Sequence, residues 1–64
     1  MNKFDLKVDH YGVEVFTETI LHEWWKFKTE KFNNPEDAFT YAKQQIEKGN
    51  RVRIYQVSEV KGWL

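Results

Sequence analysis

The 64-residue sequence predicts a small α+β domain, an antiparallel or mixed sheet with one helix packed on one face. Three observations predict it. Apolar and polar residues alternate with a period of two through most of the chain, the pattern of half-buried strands. Residues 34–48 switch to helical spacing between clear start and stop signals. The length admits one domain, residues 1–64, and no more.

The first strand spans residues 3–9, where Phe4, Leu6 and Val8 alternate with Lys3, Asp5, Lys7 and Asp9. Asp9-His10-Tyr11-Gly12 reads as a tight turn, because Asp bonds its own backbone and Gly tolerates a positive φ. Alternation resumes over 13–19, with Val13, Val15, Thr17 and Thr19 against Glu14, Phe16 and Glu18, so the two strands form a hairpin. Ile20-Leu21-His22 is a corner. Residues 23–32 form a third strand, with Trp25, Phe27 and Thr29 on one face and Trp24, Lys26, Lys28 and Glu30 on the other.

The helix is signalled most strongly. Asn34 is an N-cap and Pro35 takes the first helical position, where its missing N–H costs nothing. Glu36 and Asp37 complement the helix dipole, and Asp37 sits at capping-box spacing from Asn34. Ala38, Phe39, Ala42 and Ile46 form the apolar stripe, flanked by Tyr41 and Gln45. Gly49 ends the helix. Residues 51–60 form the last strand, with Val52 and Ile54 opposite Arg51, Arg53 and Tyr55. The element order is β-β-β-α-β, or β-β-α-β if the first hairpin merges with its neighbour.

One helix covers only one face of such a sheet. The alternation assigns Phe4, Leu6, Val8, Val13, Val15, Trp25, Phe27, Val52 and Ile54 to the covered face. The open face then holds Lys3, Asp5, Lys7, Glu14, Phe16, Glu18, Trp24, Lys26, Lys28, Glu30, Arg51, Arg53 and Tyr55. A register error of one residue would exchange the two sets.

Composition narrows the function. A chain this short buries only about 60% of its unfolded surface, and it contains no cysteine to staple the fold. Three Trp, three Tyr and five Phe are the available source of core, each removing roughly 150–250 Å² from water when buried. A thiol nucleophile, a Cys-ligated zinc and a disulfide scaffold are excluded. Charges interrupt the chain too often for a signal peptide, and a transmembrane helix needs about 20 apolar residues, so the expected location is the cytoplasm, with no membrane contact. Ten basic residues balance ten acidic ones, which argues against a generic polyanion binder.

The residues offer little chemistry. The only histidines, His10 and His22, read as surface residues near loops, and the single serine, Ser58, lies in a strand, so no triad is available. His22-Glu23 lacks a second His at zincin spacing, so no metal site is expected. Gly12, Gly49 and Gly62 lie too far apart for a phosphate loop. The expectation is a non-enzymatic protein without a cofactor.

What remains is a surface. Trp24, Phe16 and Tyr55 lie beside Lys26, Lys28, Arg51 and Arg53 on the expected open face. Trp, Tyr and Arg anchor protein interfaces. Aromatics interleaved with cations also stack and hold single-stranded nucleic acid, although Glu14, Glu18 and Glu30 on the same face oppose phosphate. Trp63, beside Leu64 at the C-terminal end, either covers the domain's own core or inserts into a partner.

The stretch Asn34-Pro-Glu-Asp-Ala-Phe-Thr-Tyr-Ala-Lys, followed by Gly49-Asn-Arg-Val-Arg-Ile-Tyr-Gln-Val, resembles small bacteriophage accessory proteins. It covers about half the chain and consists mostly of capping chemistry. The resemblance implies a small protein that binds and blocks or modulates a host factor, defence systems included, in the host cytoplasm; no site residue carries over from it. The helix–strand half is also similar to the immunoglobulin-binding domains of bacterial surface proteins, except that no room remains after Val60 for their final hairpin. The expected function is therefore binding of a protein partner or a second copy of the chain, through Phe16, Trp24, Lys26, Lys28, Arg51, Arg53, Tyr55 and Trp63. The alternative is a single-stranded nucleic-acid or nucleotide binder using the same face.

Overall fold

The computed structural model describes residues 5–61. Three strands and a helix follow in the order β1 (Asp5–Glu18), β2 (Trp24–Phe32), α1 (Pro35–Glu47), β3 (Arg51–Lys61). The sheet order is β2-β1-β3, and both pairings are antiparallel. This is an α+β fold of the β-β-α-β kind, with an antiparallel rather than a mixed sheet.

The expected turn at Asp9–Gly12 is not formed. β1 runs straight through it as one 14-residue strand, and a register shift between Val8 and His10 leaves Asp9 as the extra residue of a bulge. Gly12 is there for a different reason than a turn. Its cross-strand partner is Tyr55, and a Cβ at position 12 would overlap the Tyr55 ring. The ring covers the bare backbone of the glycine, as aromatics do opposite glycines in sheets.

A second bulge inverts β2. Val15 pairs with Lys28 and Phe16 with Lys26, which leaves Phe27 as the extra residue. Even-numbered residues therefore change face along the strand. Trp24 and Lys26 lie with Phe16 on the open face, whereas Lys28, Glu30 and Phe32 lie with Val15, Val13 and Tyr11 on the helix side. This corrects the expected placement of Lys28 and Glu30 on the open face. Phe27, the bulge residue, and Trp25, opposite Thr17, are 55% and 61% exposed, so neither joins the core as expected.

The helix is built as its caps dictate. The Asn34 side-chain oxygen accepts from the Asp37 N–H at 2.9 Å, and the Asn34 amide donates to the Asp37 carboxylate at 2.9 Å. At the other end Gly49 adopts φ 89°, the Gly49 N–H donates to the Ile46 carbonyl and the Asn50 N–H to the Gln45 carbonyl, which together make a Schellman stop. The buried stripe differs from the expected one. Ala38, Ala42 and Gln45 face the sheet with Tyr41 beside them, while Phe39 and Ile46 are 62% and 57% exposed. Small residues let the helix sit directly on the fully buried Val13 and Val15 of the central strand. The larger Phe39 and Ile46 are left outside this contact.

Among the described residues the core is accordingly small: Val13, Val15, Ala38 and Ala42, framed by Tyr11, Phe32, Tyr41, Val52 and Ile54. Beyond it the N-terminal part of β1 pairs only with the end of β3, as a two-stranded ribbon. The radius of gyration is 15.4 Å, against about 11 Å for a compact chain of this length.

Candidate binding site

The open face assembles most of the residues the sequence singled out. Phe16 pairs with Lys26 on one side and Arg51 on the other, Glu14 pairs with Arg53, and Tyr55 with Gly12. Trp24, paired with Glu18, completes the group. Lys28 does not belong to it. Its ammonium sits on the helix side, 3.1 Å from the Glu30 carboxylate and over the Tyr41 ring at 5.8 Å. The Glu30 hydrogen bond, then the neighbouring Tyr41, holds the Lys28 ammonium above its usual 10.5. Trp63 lies outside the described residues.

The groups on this face satisfy one another. Glu14, with only 16% of its side chain exposed, takes Lys26 Nζ and Arg53 Nε at 3.4 Å each. The Arg51 guanidinium lies 4.5 Å from the centre of the Trp24 ring and occupies one of its faces. Tyr55 lies against Gly12. An open stacking platform needs free aromatic faces and cations aimed at a backbone. Here the cations serve an internal carboxylate and an internal ring.

Among the described residues the most exposed large apolar groups are elsewhere, at the β1–β2 hairpin tip. Ile20 is 93% and Leu21 75% exposed. The tip is nevertheless tightly held. The Thr19 N–H donates to the Glu23 carbonyl at 2.7 Å and the His22 N–H to the Thr19 carbonyl at 2.9 Å. Thr19 Oγ1 accepts from the Leu21 and Glu23 N–H groups at 3.3 and 3.2 Å. His22 closes the turn at φ 62°, a left-handed conformation that costs a non-glycine residue about 1–2 kcal/mol. Trp25 adjoins the tip, its indole N–H donating to Glu23 at 3.3 Å. Glu18 and Glu23 flank the apolar pair, and His22 Nδ1 lies 3.5 Å from the Glu18 carboxylate.

In the sequence Ile20-Leu21-His22 marks a corner and not a candidate site. The available signal was two adjacent aliphatic residues in a loop between strands, where turn chemistry favours Gly, Asn, Asp or Ser.

Other candidate chemistry is sparse. His10 lies within β1 rather than in a turn, with Nδ1 2.6 Å from the Asp9 carboxylate, and this hydrogen bond is the main reason the Asp9 carboxyl is held below its usual 3.8. Among the described residues no three His, Asp or Glu side chains cluster as metal ligands. A depression of about 220 Å³ between the start of α1 and β3 is lined by Tyr11, Pro35, Phe39, Ile54, Tyr55 and Gln56. It falls below the roughly 300–1,000 Å³ of small-molecule sites. No helix among the described residues is long and apolar enough to cross a membrane.

No known protein family, curated protein or solved structure matches this chain.

Proposed function

We propose that this protein is a non-enzymatic binding module that seats the apolar tip of its β1–β2 hairpin in a pocket of a partner protein, and so inhibits or modulates that partner. The observation that carries the reading is the pair Ile20 and Leu21, almost fully exposed on a turn closed by four hydrogen bonds. Exposed apolar groups on a pre-ordered element lose little freedom on binding, which favours affinity. The left-handed His22 supports the same reading, because local strain concentrates where a loop must hold a binding geometry. A convex apolar tip suits a concave apolar pocket. The flanking Glu18 and Glu23 favour a basic rim on that pocket and disfavour nucleic acid and anionic lipid. Protein capture of this kind is also what the resemblance to phage accessory proteins implies, with a host protein as the target. The open face supports a nucleic-acid role less well, since its cations and its tryptophan face are already engaged.

Immobilised protein is to be exposed to bacterial lysate alongside an Ile20→Asp/Leu21→Asp variant and an open-face Arg53→Glu variant. Burying one such aliphatic side chain contributes about 1.5–3 kcal/mol, so the tip variant loses tenfold or more of the retained partner. Arg53→Glu keeps most of it. Equal retention by the tip variant and the wild type contradicts the proposal, as does tryptophan quenching by single-stranded oligonucleotides at low salt.

A further inference from the structure

We propose that two copies of this chain pair antiparallel along the outer edge of β3, about a twofold axis at Tyr55, to form one continuous six-stranded sheet.

The sheet has two edges, and they differ. β2 carries Lys26, Lys28 and Lys31 along nine residues and is broken by the Phe27 bulge. Lysines and bulges are how natural edges refuse a further strand. β3 is longer, at 11 residues, and its centre, Ile54-Tyr55-Gln56-Val57-Ser58, carries no charge. Its register against β1 skips Asp9 on β1, so β3 itself has no extra residue. No described segment pairs with its outer side.

Its charges favour a second copy of itself. Pairing about Tyr55 sets residues 51–59 of one copy against 59–51 of the other. Arg51, whose guanidinium lies on the Trp24 ring within its own chain, then stands opposite Glu59 at both ends of the joint, and no like charges face each other. Glu59 has no ion-pair partner among the described residues of its own chain. Even-numbered residues of β3 meet even-numbered residues, so both helices lie on the same side of the joined sheet.

That side supplies the apolar contact. Phe39, 62% exposed, borders the depression that reaches Ile54, Tyr55 and Gln56, the residues at the axis. A twofold there brings both copies' Phe39 over the joint. Among the described residues only four apolar side chains are fully or nearly buried, so covering this flank enlarges the core. A net charge of zero adds no general repulsion between copies.

Sedimentation equilibrium from about 10 µM to 1 mM tests this, read with amide hydrogen exchange at both ends of the range. The expected result is a mass rising from 7.8 kDa toward twice that value, with β3 amides gaining protection as concentration rises and β2 amides unchanged. Glu59→Arg, which sets arginine against Arg51, and Phe39→Lys, on an exposed helical position, each weaken the dimer tenfold or more. Ile20→Asp/Leu21→Asp dimerises like the wild type, so loss of partner capture and loss of dimer separate cleanly. A chain monomeric at 1 mM overturns the proposal. So does a dimer that neither Glu59→Arg nor Phe39→Lys weakens, or one whose concentration-dependent protection falls on β2.

Discussion

Trp24 and Trp25 are neighbours in sequence and opposites in use. Trp24 is half-buried on the open face beneath the Arg51 guanidinium, in a network where Glu14 takes Lys26 and Arg53. Trp25 is 61% exposed and its indole N–H donates to Glu23, next to the hairpin tip that exposes Ile20 and Leu21. The first surface, rich in charge and aromatics, carries ion pairs of its own and a cation–ring contact. The short loop with no charge from Thr19 to His22 is covered by none of the described residues. Interaction capacity follows from unmet partners rather than from residue type.

Substitutions that separate the two regions should do so in a definite order. Trp24→Ala removes a half-buried indole and its cation contact, and should cost about 2–3 kcal/mol. Trp25→Ala should cost under about 0.5 kcal/mol, as exposed positions do. Urea unfolding of the two variants measures the contrast, and equal losses would erase it. Gly12→Ala pushes the Tyr55 ring off its seat on the open face. Overpacking of this kind costs about 1–2 kcal/mol, or a fall of roughly 4–16 °C in Tm at 4–8 °C per kcal/mol for a domain of this size. At the tip, His22→Gly relieves the left-handed φ and should stabilise by about 0.5–1 kcal/mol in the same unfolding assay. The smallest effect lies at the Asp9 bulge. His10 holds the Asp9 carboxyl below 3.8, so the unfolded chain binds the proton more tightly than the folded one. Stability from this contact is present above pH 3.8 and is lost as pH falls through the lower folded value. Asp9→Asn should flatten that part of an acid titration followed by circular dichroism.

Much of the fold was legible because its signals are local. Asn34, Pro35 and Gly49 set the helix ends through bonds within a few residues, and these formed as the sequence implied. Strand periodicity gave the open-face positions of Glu14, Phe16, Trp24, Arg51, Arg53 and Tyr55. It misplaced Lys28 and Glu30 because one extra residue, Phe27, inverts the parity of β2, and a bulge is a property of two strands together. Gly12 was misread because a glycine serving a turn and one serving a cross-strand ring look alike in one dimension. Phe39 outscores Ala38 on hydrophobicity but loses on size, since α1 approaches Val13 and Val15 through its alanines, Ala38 and Ala42. The exposure of the tip is a tertiary fact: two adjacent aliphatics at a corner hint at it in the sequence, but only the turn holds Ile20 and Leu21 out into solvent.

Site-specific photo-crosslinking separates the two regions most directly. Benzoylphenylalanine placed at position 21 at the tip, and separately at position 55 on the open face, should be irradiated in bacterial lysate. The expected result is a discrete protein adduct from position 21 that Ile20→Asp abolishes, with no heterologous adduct from position 55. A protein or nucleic-acid adduct from position 55 with none from position 21 would contradict the account.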